Sequence, residues 1–218
     1  MTKKNRGSQN SSSRAAKTDT NETPTPSSHR PRKPDRPLFF FGPSNEYGEF
    51  SQWYRTSFTV GKAEIADLLG HSVDDAEPKQ VDPVPFSCAE QFMMYCKAGR
   101  FKDFETQKLI LQTMSPKEQK SLGRSVVGFE DASWDEVKSE VVLMGNLAKF
   151  RRSKDLRKLL LDTGDRLLVE AASNDRVWGI GFNAKYAMGN RDAWGENRLG
   201  KLLMEVRRIL REEKSKEE

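Results

Sequence analysis

The sequence predicts a single α+β domain, predominantly helical, with a small antiparallel sheet. Three observations predict it. Apolar residues recur at three- and four-residue spacing across 134–150 and 196–211, the period of amphipathic helices. From Ser87 onward, three Ser-x-x-Glu patterns mark helix starts. Strand-like patterning, in contrast, is confined to a few short runs. The chain of 218 residues suits one well-buried domain with a tail and is short for two.

Residues 1–36 are rich in Ser, Thr, Pro, Lys and Arg and nearly devoid of large apolar side chains, so they are expected to be disordered. Order begins at Leu38-Phe39-Phe40-Phe41, an apolar run that reads as a buried strand, and the alternation from Trp53 to Val60 makes that segment its expected partner. Between Gly61 and Pro85 the chain turns polar around a short helical piece, Glu64 to Leu69, and reads as a surface excursion. Ser87-x-x-Glu90, Ser115-Pro-Lys-Glu118 and Ser133-x-x-Glu136 fit capping boxes, the second with Pro at the first helical position. Val137, Val141, Met144, Leu147 and Phe150, with Leu143 beside them, form the expected core stripe of a helix from Trp134. Another helix spans about Lys154 to Thr163 and stops at Gly164. Arg166 to Ala172 reads as a strand, and Asp175 to Asn190 as a long ordered loop. A final helix, about Glu196 to Arg211, turns Leu199, Leu202, Leu203, Val206 and Leu210 inward. The expected division is a basic tail over 1–36, a folded domain over 37–211 and a charged end over 212–218.

Net charge narrows the function. The whole chain carries +5, yet residues 1–36 hold nine basic and three acidic groups, leaving 28 basic and 29 acidic groups in the rest. The basicity lies in the tail, so a nucleic-acid-binding face on the folded part is poorly supported. Arg30-Pro-Arg-Lys-Pro-Asp-Arg36 is a candidate nuclear address or acidic-partner contact, against the plainer reading of a solubilising linker. No apolar run approaches the roughly 20 residues of a membrane span, and no signal-peptide pattern opens the chain. A cytoplasmic or nuclear protein without membrane contact is expected. Cys88 and Cys96, eight apart on one expected helix, are too distant for a disulfide, and with His29 and His71 in unrelated segments no metal site is credible.

Four segments contain costly residue choices. Glu90 and Lys97 stand seven apart on one helical face with Met94 between them, and Arg100 and Phe101 fall near that stripe. Such a face suits a helix lining a polar cleft, although Glu90 also fits a capping box and Lys97 a solvated lysine. Arg124, after Gly123, has the fork geometry for a phosphate or is an exposed turn residue. Trp134 at a helix start could stack on a flat base or fill the core. Asn146 and Lys149 taken alone read as surface residues. Most informative is Glu170-Ala-Ala-Ser-Asn-Asp-Arg-Val-Trp-Gly-Ile-Gly181, where a strand enters a loop with a carboxylate, an indole and two glycines. Asp175 and Trp178 are spaced to flank one cavity and Glu170 could point into it, unless Asp175 closes an Asx-turn and Trp178 fills the core. The glycine spacing is not that of a dinucleotide fingerprint, and a single histidine in the folded part excludes a Ser-His-Asp triad.

Taken in order, these segments resemble one family. Phe-Ser-Gln-Trp (50–53), Cys-Ala-Glu-Gln-Phe-Met-Met (88–94), Lys97-Ala, Leu-Gly-Arg (122–124), Gly-Asn-Leu-Ala-Lys-Phe (145–150), Leu-Asp-Thr-Gly-Asp (161–165), Asp-Arg-Val-Trp-Gly-Ile-Gly (175–181) and Asn-Arg-Leu-Gly-Lys-Leu-Leu-Met-Glu-Val-Arg (197–207) resemble the YbiA-like (NADAR) family. The resemblance spans 38–210 and implies a YbiA-like fold and an N-glycosidase. Bacterial members hydrolyse phosphoribosylamino-pyrimidines of riboflavin synthesis, and others are associated with NAD and ADP-ribose chemistry, including removal of ADP-ribose from nucleobases. By this resemblance the active-site motifs fall on Glu90, Lys97, Trp134, Asp175 and Trp178, with Arg124, Lys149, Gly179 and Gly181 in support. Two departures stand out: Glu170-Ala171-Ala172 where the family has Glu-Ala-Ser, and a longer stretch from Gly61 to Pro85.

The resemblance and the residues together give an expected chemistry. Glu90 is the acid/base, Lys97 a nucleophile or phosphate contact, and Asp175 the stabiliser of charge on the sugar. Trp134 and Trp178 sandwich the base, Arg124 holds phosphate, and neither metal nor cofactor is needed. The expected partner is a small phosphoribosyl or ADP-ribosyl compound, with nucleic acid only as a modified substrate or through the tail. The competing readings are an ADP-ribose or NAD-metabolite binding module without turnover and a tail-driven nucleic-acid binder.

Overall fold

The computed structural model describes residues 36–72 and 81–217, so the expected disorder of the tail and the acid- and proline-rich centre of the 61–85 excursion lie outside the described residues. Two short strand pairs and eight α-helices form the architecture among the described residues. Strand β1 (Leu38–Phe40) runs parallel to β4 (Leu168–Glu170), with Leu38 opposite Leu168 and Phe40 opposite Glu170. Strands β2 (Phe58–Val60) and β3 (Val84–Phe86) make the small antiparallel sheet. The expected partnership of 53–60 with β1 is therefore corrected. Residues 51–57 bend away before Phe58, and β1 spends its hydrogen bonds on the β4 segment, through Leu38 N to Leu167 O (2.7 Å) and Ala171 N to Phe40 O (2.9 Å). Phe41, expected in the buried run, is half exposed.

The 61–85 stretch is more than a surface excursion. Helix α1 (Lys62–Leu69) buries Ile65, Ala66 and Leu69, and β3 buries Val84 and Phe86. Helix α2 (Ala89–Arg100) is the hub, packing against α1, α3 (Phe104–Gln112), α4 (Pro116–Arg124), α5 (Asp131–Arg152) and β3. Almost every residue of α2 is buried, which explains why its pattern reads poorly as a one-sided amphipathic helix. Helix α5 also packs against α6 (Lys154–Asp162), β2 and α8 (Arg198–Glu217), while α7 (Ala184–Ala187) lies in the loop after β4. Phe40, Phe50, Phe58, Phe92 and Phe150 fill the core, each burial contributing roughly 1.5–3 kcal/mol.

Of the three expected capping boxes, only the second is near its form. Ser115 Oγ accepts from Glu118 N (3.4 Å), but the Glu118 carboxylate bonds Thr113 Oγ1 rather than closing the box. Helix α2 starts later than expected, with Cys88 as N-cap, because Gln91 Oε1 captures both Ser87 N (2.7 Å) and Ser87 Oγ (2.9 Å). Helix α5 starts earlier, capped by Glu130, and Ser133 and Glu136 instead grip Arg100 at 3.0 and 2.9 Å. Arg100 thereby ties α2 to α5 and, through Leu69 O, to α1, so it does not face the cleft described below. Helix α6 and its stop hold as read, with Gly164 at φ 59°. The inner stripe of α5 is rotated from the expected one: Trp134, Val141, Val142, Gly145, Asn146, Lys149 and Phe150 are buried, whereas Val137, Leu143, Met144 and Leu147 are only partly so. Leu199, Leu203, Val206 and Leu210 of α8 are buried as expected, with Leu202 partly so.

Candidate active site

Both strands of the parallel pair end at one cleft of about 930 Å³. The C-terminal edge of parallel strands is where open α/β sheets bind ligands, since the chain leaves each strand there in a shaped loop. Here β1 runs on into Phe41-Gly42-Pro43, and β4 contributes Glu170 followed by the 172–178 loop. Helix α2 adds Glu90, Met93, Met94 and Lys97; α4 adds Lys120, Gly123 and Arg124; α5 adds Trp134 and Lys138. The turn after Phe50 completes the wall with Ser51, Gln52 and Trp53.

Three carboxyl groups gather here. Glu90 is only 5% exposed, and burial raises its pKa against the opposing pull of Lys120, a hydrogen bond from Trp53 and the Arg124 charge. Released from the cap role, its backbone N–H donates to Gln52 O at 3.0 Å. Glu170 is pushed up to about 8 by burial and by the Asp175 and Glu90 charges, so it holds its proton at neutral pH. Its Oε2 is buried and meets no hydrogen-bond partner among the described residues, while its backbone N–H is fixed by Asn197 Oδ1 at 3.0 Å. Asp175 does close an Asx-turn, Oδ1 accepting from Val177 N (2.9 Å) and Trp178 N (2.8 Å). That turn aims the residue at the cleft rather than removing it, because only one of its oxygens is used.

The cations divide by environment. Lys97 lies with its ammonium 3.8 Å from the Phe129 ring centroid, and burial lowers its pKa, with Asp131 opposing and Arg124 reinforcing. Lys120 and Arg124, one turn apart on α4, line the cleft and, among the described residues, have no carboxylate partner within ion-pair distance. Trp134 is 6% exposed, so it presents an edge of the wall rather than an open plate, while Trp178 is half-buried and more available.

Three expected residues do not line the cleft. Lys149 is fully buried, its Nζ donating to Glu49 O (2.7 Å) and Ser51 O (3.0 Å), and burial brings its pKa down to about 7. It holds the turn that carries Gln52 and Trp53, so it supports the wall from behind. Gly179 lets the loop approach: a Cβ there would stand 2.8 Å from Ala172 Cβ and 2.9 Å from Glu170 O. Gly181, at φ 77°, closes the loop by donating to Ala172 O (3.0 Å) and Asp175 O (2.9 Å). Gln52, Trp53 and Lys120, which the sequence reading left out of the site, line the cleft, as does Glu170, read from the sequence as able to point into it. Glu170 had a signal, an acid at the end of a buried strand. No signal distinguished Lys120 from a solvated lysine.

Among the described residues no group of three or more His, Cys, Asp or Glu could hold a metal ion, and no helix is long and apolar enough to cross a membrane. What the cleft offers is a protonated carboxyl, further carboxylates and cations, the set that cleavage of a glycosidic bond requires.

Comparison with known proteins agrees. Residues 39–211 match the model of the NADAR domain. N-glycosidase R617 of Acanthamoeba polyphaga mimivirus is 36% identical over 180 residues, covering 79% of this chain and 95% of that protein. N-glycosidase YbiA of Escherichia coli K12 is 31% identical over 180 residues, covering 83% of this chain and 92% of that protein. The NMR structure of E. coli YbiA superposes with a TM-score of 0.61 at 29% identity, covering 83% of this chain and 88% of that one. The family match over 39–211, the shared fold and these relatives identify the chain as a member of the NADAR domain family, of the N-glycosidase type.

Proposed function

We propose that the enzyme hydrolyses the bond between an amino nitrogen and C1 of a phosphorylated ribose, with phosphoribosylamino-pyrimidines as the substrate class. The observation that carries this reading is the meeting of Glu90, Glu170 and Asp175 with the unpaired Lys120 and Arg124 in one cleft. Breaking such a bond needs a proton for the departing nitrogen and negative charge beside the sugar carbon as it becomes cationic. Burial, with the Asp175 and Glu90 charges beside it, holds the Glu170 carboxyl in its protonated form. Glu90 and Glu170 are the acid/base pair, Glu170 being protonated at neutral pH and Glu90 placed to take the proton of the attacking water. Asp175 stabilises the sugar cation. Lys120 and Arg124 receive the phosphate, and Trp178 with Trp53 and the edge of Trp134 flanks the base.

Lys97 supports a second route to the same products. Partial burial lowers the Lys97 pKa, and its deprotonated amine can add to C1 of ring-opened ribose, expel the base as the amine and leave a Schiff base that water hydrolyses to free the sugar. Borohydride during turnover traps that adduct at Lys97 if the route operates. ADP-ribosylated nucleobases present the same bond and the same first phosphate, and are the rival substrate class. The deciding experiment is turnover by the purified protein of a phosphoribosylamino-pyrimidine and of ADP-ribosylated nucleobases, side by side. Cleavage of the first by at least tenfold in kcat/KM is the expected result, and cleavage of neither overturns the proposal.

A further inference from the structure

A buried amide pair behind the cleft fixes the hydrogen-bonding polarity of Gln52. Asn146 is fully buried on α5, and its Nδ2 lies 2.8 Å from Val142 O and 2.8 Å from Gln52 Oε1. The helix carbonyl of Val142 is an acceptor, so only a donor can approach it at that distance, and Asn146 must turn its NH₂ that way. The same NH₂ then demands an acceptor from Gln52, which sets the Gln52 oxygen inward. Asn146 Oδ1 is left buried with no protein partner, a cost the fold bears to keep this orientation. With its oxygen committed, Gln52 has only its own NH₂ to offer the cleft. Among the described residues that NH₂ donates to Met93 Sδ at 4.0 Å, a weak acceptor. Both residues line the cleft, and the Gln52 main chain holds Glu90 N at 3.0 Å, beside the proposed proton-transfer groups.

We propose that Gln52 is a specificity-determining residue whose carboxamide N–H groups donate to a ring carbonyl oxygen on the base that leaves the sugar. This rests on the ribosylamine reading for the identity of the base, though not for the polarity of the site. A base that presents only donors at that edge leaves the Gln52 NH₂ facing like groups and is disfavoured. Asn146 is the positioning residue that prevents Gln52 from rotating to suit it.

The test separates this inference from the catalytic one by measuring binding rather than turnover. Isocytosine and 2-aminopyrimidine, which differ in the ring oxo group, are titrated into the full chain and followed by tryptophan fluorescence, since Trp53 and Trp178 stand in the cleft. The wild type is expected to prefer isocytosine about tenfold, the scale of one hydrogen bond at an enclosed site. Gln52→Ala brings that ratio to about one. Gln52→Glu retains the acceptor that Asn146 needs, so its fold is protected, and it removes or inverts the preference. Thermal melts check that both variants are folded. An absent preference in the wild type, or one unchanged in Gln52→Glu, overturns the proposal. If isocytosine is preferred yet no ribosylamine is cleaved, the catalytic reading fails while this one stands.

Discussion

Lys149 Nζ donates to Ser51 O at 3.0 Å across 98 positions of sequence, with a second bond to Glu49 O, so a buried ammonium anchors the turn that forms one wall of the cleft. Its pKa falls from 10.5 to about 7 through burial. Below about 7 the folded and unfolded chains both carry the proton and the burial cost is fully present. Between about 7 and 10.5 the unfolded chain binds the extra proton, so this residue makes stability rise with pH across that window. Lys149→Met should flatten that rise in urea titrations from pH 7 to 10. It should also lower kcat/KM by roughly tenfold, because the turn carrying Gln52 and Trp53 loses its anchor.

Glu170 acts in the opposite direction. Its pKa is raised from 4.5 to about 8, so the folded chain holds a proton that the unfolded chain releases between those values. Stability from this group is therefore lost as pH rises from about 4.5 to 8. Glu170→Gln should be neutral near pH 4.5 and stabilising by roughly 2–4 kcal/mol near pH 8.5, while activity falls at least about 100-fold. Thermal melts at the two pH values, with turnover beside them, check both halves.

The wild-type pH–rate profile follows from the same group. Activity that needs the Glu170 proton should decline on the alkaline side with an apparent pKa near 8, a value belonging to the carboxyl cluster as a whole. In Glu170→Gln the residual rate should lose that alkaline limb. A limb that persists assigns it to another group.

Lys120 and Arg124 stand where a substrate phosphate would meet them. Replacing both by Ala should raise KM about tenfold with kcat little changed, a modest figure because Arg124 is exposed. The difference between variant and wild type should shrink as salt is raised.

Gly179 is a steric test. A methyl group there would press on Ala172 and on the main-chain oxygen of Glu170, neither of which can swing aside. Gly179→Ala should cost roughly 1–3 kcal/mol in denaturation and a further loss of rate in the molecules that remain folded.

The sequence was most legible where one face of an element meets solvent. Helices α6 and α8 and the stop at Gly164 follow from three- and four-residue spacing and from a backbone that glycine adopts freely. The strands were harder, because three residues give no measurable period and pairing partners far apart leave no local mark. A Ser-x-x-Glu pattern proved chemically ambiguous: Ser87 turns to Gln91, a competing partner one turn on, and Ser133 to Arg100, a partner distant in the chain. The cleft was legible in its loop and α2 residues. It was illegible at Lys120 and Gln52, whose importance comes only from neighbours distant in the chain.

The parallel pairing of Leu38 with Leu168 has a temporal consequence. During synthesis, β1 and the Glu90-bearing helix α2 emerge long before β4 and its Glu170 exist. A nascent chain that has not yet delivered Glu170 lacks one wall of the cleft, so the proposed centre cannot assemble before β4 is made.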